Sequence, residues 1–218
     1  MNKYEFTGEL LIFHGKPLNR IRALKSFGDV KEGELGGWIQ KNSNLSQEGD
    51  CWVGGEAKVY ENAEVSENAL VTDCAIVRDK AMVWGRARVV GEVHVWNNAK
   101  IYENAQVFGN AIVFGDARIA GDTKISDFAK IYGSAYLAGK IKIWDRAEVF
   151  GFKYIFENLQ IGGTAMLSGS KDEIHIFNWH PKYPIILTKK PKPLYHCGDF
   201  TGTWDEFLGF MKLGGSRI

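Results

Sequence analysis

The fold is decided by residues 57–89, which read AKVYENAEVSENALVTDCAIVRDKAMVWGRARV. An aliphatic residue recurs at every sixth position, and extending that step in both directions gives 20 aliphatic positions from Val53 to Leu167. Four residues after each of the first 19 lies a second position, which is Ala in 14 cases. A register this strict predicts a repeat architecture with the aliphatic and small residues packed inside.

Each six-residue unit is interpreted as a short strand followed by a two-residue corner. The Ala and Val positions are two residues apart, so they lie on the same face of a strand. The intervening pairs, such as Glu61-Asn62 and Gly115-Asp116, contain residues that tolerate the positive φ of a tight corner. Three units would form one triangular coil, so that residue n stacks on residue n+18.

The repeat resembles that of the hexapeptide-repeat superfamily, in which a small residue follows an aliphatic residue by four positions. The resemblance implies an all-β fold, a left-handed parallel β-helix with three strands per coil and small N- and C-terminal caps. It covers about 115 residues. The fold hosts many activities, so it does not by itself identify a function.

Residues 1–52 are predicted to form a β cap and lead-in, 53–170 the helix, and 171–218 a C-terminal cap. The pieces FGDV, LGGW and NLSQEGDCWV of the lead-in resemble those of YdcK-like transferases and of uncharacterised bacterial and phage proteins of similar build. Strands are expected at Glu9–Phe13 and Leu18–Leu24. The C-terminal cap is expected to contain a hairpin of Asp172–Trp179 with Tyr183–Lys189, a strand at Leu194–Cys197 and a short helix from Thr203 to Lys212.

Composition excludes several classes of function. The net charge of +1 predicts no general attraction to nucleic acid or to an anionic membrane. No long apolar segment suggests a signal peptide or a membrane span. Three widely spaced cysteines without a CxxC pair favour a reduced, cytoplasmic setting.

Outward positions divide among three faces of the prism, and the first of them carries most of the apolar side chains. A contiguous apolar surface of this kind is typical of an interface, so a cap, a terminal arm or a second subunit is expected to cover it. The alternative is a ligand groove near His94. A ligand held between subunits would make this face an interface and a binding site at once. The predicted interface or ligand-binding residues are Arg78, Trp96, Ile112, Phe114, Tyr132 and Phe150.

Two functions remain open, so whether the protein is an enzyme stays undecided. The first is an oligomeric binding module, with a trimer favoured because trimers are usual for the superfamily; a version of it sequesters a small anionic ligand such as a nucleotide. The second is an acyltransferase, for which the resemblance implies acyl-CoA as cosubstrate and His94 as general base. No metal site is expected, because the helix carries a single histidine. No excursion loop interrupts the coils, which disfavours the acyltransferase.

Overall fold

The chain folds as an all-β parallel solenoid of about seven turns, as the repeat predicts. The computed structural model describes residues 2–151, 155–156, 159–169, 173–177, 186–187, 194–197 and 200–202. Helical structure among them is confined to a 3₁₀ turn at Asn42–Asn44. None of the helical segments in this described part is long and apolar enough to span a membrane.

Three parallel sheets form the faces of the prism, and we number the faces in the order in which the chain reaches them from Lys58. Face one consists of Lys58–Val59, Ile76–Val77, His94–Val95, Ile112–Val113, Lys130–Tyr132, Glu148–Phe150 and Met166–Gly169. Face two consists of Glu64–Val65, Met82–Val83, Lys100–Ile101, Arg118–Gly121, Tyr136–Gly139 and Ile155–Phe156. Face three consists of Trp52–Val53, Leu70–Asp73, Arg88–Gly91, Gln106–Gly109, Lys124–Ile125, Ile141–Ile143 and Leu159–Ile161.

The register between coils is 18 residues, as expected for three six-residue units. Lys100 pairs with Arg118, for example, and Arg118 pairs with Tyr136. The inward aliphatic and alanine side chains are almost completely buried along the whole stack. Thr123 is a buried polar exception whose hydroxyl donates to the Gly139 carbonyl at 3.4 Å. Among the described residues the interior is therefore a nearly continuous apolar column.

The first residue of each corner adopts a positive φ, such as 59° at Glu61 and 61° at Asp79. Where this residue is acidic, its carboxylate can accept the backbone N–H of the residue 18 positions later. Glu61 accepts from Asp79 at 3.0 Å, and Asp79 accepts from Asn97 at 2.8 Å. This hydrogen bond satisfies a backbone N–H that the parallel ladder leaves unpaired. It explains why acidic residues occupy the first corner position although the positive φ strains their backbone.

The N-terminal cap begins with two antiparallel strands, β1 (Tyr4–Phe13) and β2 (Lys16–Ala23). They extend the predicted strands and turn through His14 and Gly15, both at positive φ. Strand β3 (Leu35–Ile39) pairs with β2 and then in parallel with the first strand of face one. The cap thereby occupies the edge that the first coil would otherwise expose.

Two glycines allow β3 to approach the first coil closely. A Cβ on Gly36 would lie 2.5 Å from a side-chain carbon of Ile21, and one on Gly37 would lie 2.5 Å from the Ala57 carbonyl oxygen. The Leu-Gly-Gly-Trp sequence of the lead-in is therefore required by packing. Its strand register also departs from the repeat, because Trp38 pairs with Lys58, 20 residues later.

The C-terminal strands are placed differently from the expected hairpin. Glu173–Phe177 pairs with Met166–Gly169 of face one, whereas Ile186–Leu187 pairs with Leu159–Ile161 of face three. Each strand thus continues a different face of the last coil, and both additions are antiparallel. The expected strand at Leu194–Cys197 is present, while the helix expected after Thr203 lies outside the described residues.

Candidate functional site

The aromatic side chains expected on face one form a single stacked column. We call Trp96, Phe114, Tyr132 and Phe150 the aromatic ladder. Successive rings are 4.9, 5.0 and 4.8 Å apart between centroids and within 9° of parallel. The spacing follows directly from the 18-residue register, since each ring lies one residue after an inward Val or Ile on successive coils.

Stacking determines which part of each ring can contact another molecule. Phe114 and Tyr132 have both ring faces covered by neighbouring rings, so only their edges point outward. All four ladder residues are half-buried, less exposed than a row of isolated aromatic side chains would be. The ladder therefore presents a flat row of ring edges, which suits packing against another apolar surface better than inserting a planar ligand.

A cation lies against the N-terminal end of the aromatic ladder. The Arg78 guanidinium lies 5.3 Å from the Trp96 ring centroid and bonds to the Asp79 carboxylate at 2.8 Å. One coil above it, Tyr60 is buried by the edge of Phe13 from the tip of the β1–β2 hairpin. The terminal arm thus covers the first rung of face one, and in the described structure it leaves the aromatic ladder uncovered.

The charged side chains beside the aromatic ladder are paired within the subunit. Lys130 forms a 3.0 Å ion pair with Glu148, whose other oxygen accepts from the Tyr132 hydroxyl at 3.2 Å. Lys58 donates to the Glu56 carbonyl oxygen at 2.8 Å. With Arg78 paired as well, burying the ladder in an interface would enclose paired charges beside it, which costs less than burying an unpaired one.

His94 lies beside the aromatic ladder and is exposed. Its strand neighbours on the adjacent coils are Ile76 and Ile112, and its ring meets Trp96 edge to face at 6.2 Å. Partial burial, followed by the charge of Arg78, lowers the pKa of His94, against a weaker opposing effect of Glu92. The imidazole is therefore mainly neutral at pH 7 and able to accept a proton.

The surroundings of His94 do not complete a catalytic pair. In the described part of the chain, no carboxylate hydrogen-bonds to its ring, and isoleucines occupy both neighbouring rungs. A general base is normally oriented by such a partner. The structure thus brings His94 together with Arg78, Trp96, Ile112 and Phe114, as the sequence predicts, but as one polar residue within an apolar surface.

A polar groove runs along the corner beside the aromatic ladder, and only the turn-forming residues of that corner could be recognised from the sequence. It consists of two adjoining depressions of about 430 and 360 Å³ that share Asp79 and Lys80. Its lining residues are Lys16, Gln40, Lys41, Glu61, Asn62, Asp79, Lys80, Asn97, Asn98, Gly115 and Asp116. Several of these already bond to each other, including Lys16 to Glu61 at 3.1 Å.

Among the described residues, no group of three His, Cys, Asp or Glu side chains is placed to hold a metal ion. In the C-terminal region, the backbone register sets His175 beside His196. His180, which the sequence also places in that region, lies outside the described residues.

Comparison with known proteins gives a partial similarity. No family model matches the chain. A curated protein of Escherichia coli (strain K12), described as the uncharacterized acetyltransferase YdcK, is 47% identical over 36 residues. The match covers 16% of this chain and 11% of that protein. Together with the β-solenoid, it is consistent with a hexapeptide-repeat fold.

Proposed function

We propose that this protein is an oligomeric binding module whose subunits associate through face one. The observation that carries the proposal is the aromatic ladder, a flat and half-buried row of parallel rings that the described parts of the chain leave uncovered. A second copy of the chain is the partner, because the charges around the ladder are already paired and require none from outside. A trimer is the number favoured by the resemblance to hexapeptide-repeat proteins.

Association would also place the polar groove close to the neighbouring subunit. The groove borders the ladder at Asp79 and Asn97, one residue beyond Arg78 and Trp96. A small ligand could then contact polar groups of one subunit and the apolar surface of another. A small anionic ligand such as a nucleotide is one version of this binding role, supported by Lys41 and Lys80 in the groove.

Replacing Phe114 with aspartate is expected to dissociate the oligomer to the 24.4 kDa subunit. The substitution puts a charge in the middle of the ladder, and burying it in an interface without a partner is unfavourable by several kcal/mol. Light scattering after size exclusion measures the mass, and circular dichroism checks the fold. Ile112→Lys, which is outside the ring stack, is expected to give the same result.

The matched control is Phe128→Asp, which introduces the same charge at an exposed corner position near Arg146. It is expected to leave the mass unchanged. If Phe114→Asp and Ile112→Lys remain folded at the wild-type mass, face one is not the interface.

The partial match to the acetyltransferase supports a second candidate, an acyl-CoA-dependent acyltransferase with His94 as general base. The lowered pKa of His94 fits that role, because the base must be neutral before it accepts the acceptor's proton. If the candidate is right, acetyl-CoA should raise the melting temperature, and His94→Ala should reduce acyl transfer about 100-fold or more without changing the fold. Glu92→Ala serves as the neighbouring control. No stabilisation by acetyl-CoA and no transfer to amines or hydroxyls would exclude it.

A further inference from the structure

Face three differs from face one in its charges. Along the edge between face three and the preceding corner, basic residues occupy the second corner position, the first strand position or both on three of four consecutive coils. We call this set the basic edge, and it consists of Arg86, Arg88, Lys124, Lys140 and Lys142. All five side chains are exposed. Asp122 is the acidic residue among these positions, and its carboxylate accepts from the Asn104 amide at 3.2 Å.

The cations of the basic edge make no ion pair within the described structure. This contrasts with Arg78 and Lys130 on face one, which bond to Asp79 and Glu148. Lys124 and Lys142 occupy the same strand position on neighbouring coils, where like charges repel one another, and Asp122 is one carboxylate among five cations. An anionic partner that follows the solenoid axis would relieve that repulsion.

Phe108 lies on the coil between those of Arg88 and Lys124, two residues beyond Gln106 toward the following corner, and is 40% exposed. Its neighbours at the same strand position on the adjacent coils are Val90 and Ser126, and among the described residues no aromatic ring stacks on it. Its environment is thus the opposite of that of Phe114, whose two ring faces are covered. On the side toward Ser126 its neighbour is a small side chain, in contrast to the aromatic neighbours of Phe114.

The spacing of these groups defines an extended site. Arg86 and Arg88 are on one coil, Gln106 and Phe108 on the next, Lys124 on the third, and Lys140 and Lys142 on the fourth. Three inter-coil steps of about 4.8 Å give a length of about 14 Å. Cations therefore flank an amide and an exposed ring on both sides.

We propose that the basic edge and Phe108 bind a short segment of single-stranded nucleic acid along face three. Phosphates would lie against the flanking cations, and one base would stack on Phe108. Sequence-independent binding of single strands combines these two elements, backbone phosphates on basic residues and bases on aromatic rings. The net charge of +1 predicts no general attraction to nucleic acid, but the basic edge holds five of the 27 basic residues, with Asp122 as the acidic residue at these positions. An acidic peptide or polysaccharide would use the cations without requiring the exposed ring.

The test is fluorescence anisotropy with a labelled thymidine hexanucleotide, at salt concentrations from 25 to about 200 mM, a range over which phosphate contacts weaken strongly. The double variant Lys124→Ala/Lys142→Ala is expected to weaken binding about tenfold at low salt. It should also reduce the slope of log affinity against log salt by about 1.4, since each phosphate contact to a single strand contributes about 0.7. Phe108→Ala is expected to weaken binding roughly fivefold or more.

Matched controls separate this site from general electrostatics. Lys25→Ala/Lys31→Ala removes the same charge from exposed positions in the N-terminal cap and should leave the affinity within about twofold. An abasic hexanucleotide, which keeps the phosphates and lacks the bases, should bind as weakly to wild type as the thymidine strand binds to Phe108→Ala. Absence of binding at low salt would overturn the proposal. So would equal binding of the abasic strand or polyglutamate, or equal losses in the two double variants.

Discussion

Replacing Ile119 with alanine is expected to lower the free energy of unfolding by about 2–5 kcal/mol. Ile119 is fully buried and among the largest interior side chains, stacked between Ile101 and Leu137 on the neighbouring coils. Rigid parallel coils on both sides limit how far the backbone can move to fill the cavity. Urea denaturation followed by circular dichroism measures the change.

The control for Ile119→Ala is Arg118→Ala, one residue earlier on the same strand with its side chain exposed. It is expected to change the free energy of unfolding by no more than about 0.5 kcal/mol, as surface substitutions usually do. Equal effects of the two substitutions would contradict the alternation of inward and outward residues on which the solenoid rests.

Replacing Lys3 with methionine is expected to lower the free energy of unfolding by about 3 kcal/mol, although a lysine near the chain start would ordinarily be replaceable. Lys3 is 1% exposed, and its ammonium donates to the carbonyl oxygens of Glu48 and Gly49 at 3.3 Å and of Cys51 at 2.9 Å. Methionine keeps the apolar stem and removes the donors, so these partly buried carbonyls lose their shared charged partner.

Thermal and urea denaturation of Lys3→Met measure this loss, and hydrogen exchange should locate it in the segment from residue 46 to 52. Lys25→Met, which changes an exposed lysine of the same cap in the same way, is expected to be within about 0.5 kcal/mol of wild type. A similar stability for both variants would show that Lys3 does not anchor the cap.

The interior of the solenoid could be predicted residue by residue, because a six-residue period admits one assignment of inward positions. Ala105 and Val107 face the same side of one strand, and their equivalents repeat on every coil. The corners were equally predictable from pairs such as Glu61-Asn62. The bond from each acidic corner side chain to the next coil was not, since it depends on side-chain length and on the exact rise between coils.

The sequence predicted which residues face outward on face one. It did not predict how exposed their side chains are or which of them form ion pairs. An unstacked aromatic row would be strongly exposed, whereas the 4.8–5.0 Å separation lets the rings cover one another. The ion pair of Lys130 with Glu148 likewise joins residues whose proximity only the coil register establishes, whereas Arg78 pairs with its sequence neighbour Asp79. These pairs are what make face one suited to burial, and their absence is what distinguishes face three.

The caps were the least predictable part, because no repeat constrains them. The two strands of the β1–β2 hairpin could be read from the sequence, but the contact of its Phe13 with Tyr60 joins residues 47 positions apart. The burial of Lys3 could not be anticipated, since lysine is rarely buried without an acidic partner. Single-sequence patterns carry no information on such long-range contacts.

The mass of the wild-type protein in solution tests the central proposal most directly. Sedimentation equilibrium over a hundredfold range of concentration should give a single multiple of the 24.4 kDa subunit, with three copies expected. A mass of one subunit at every concentration would contradict the proposal that face one joins copies of this chain.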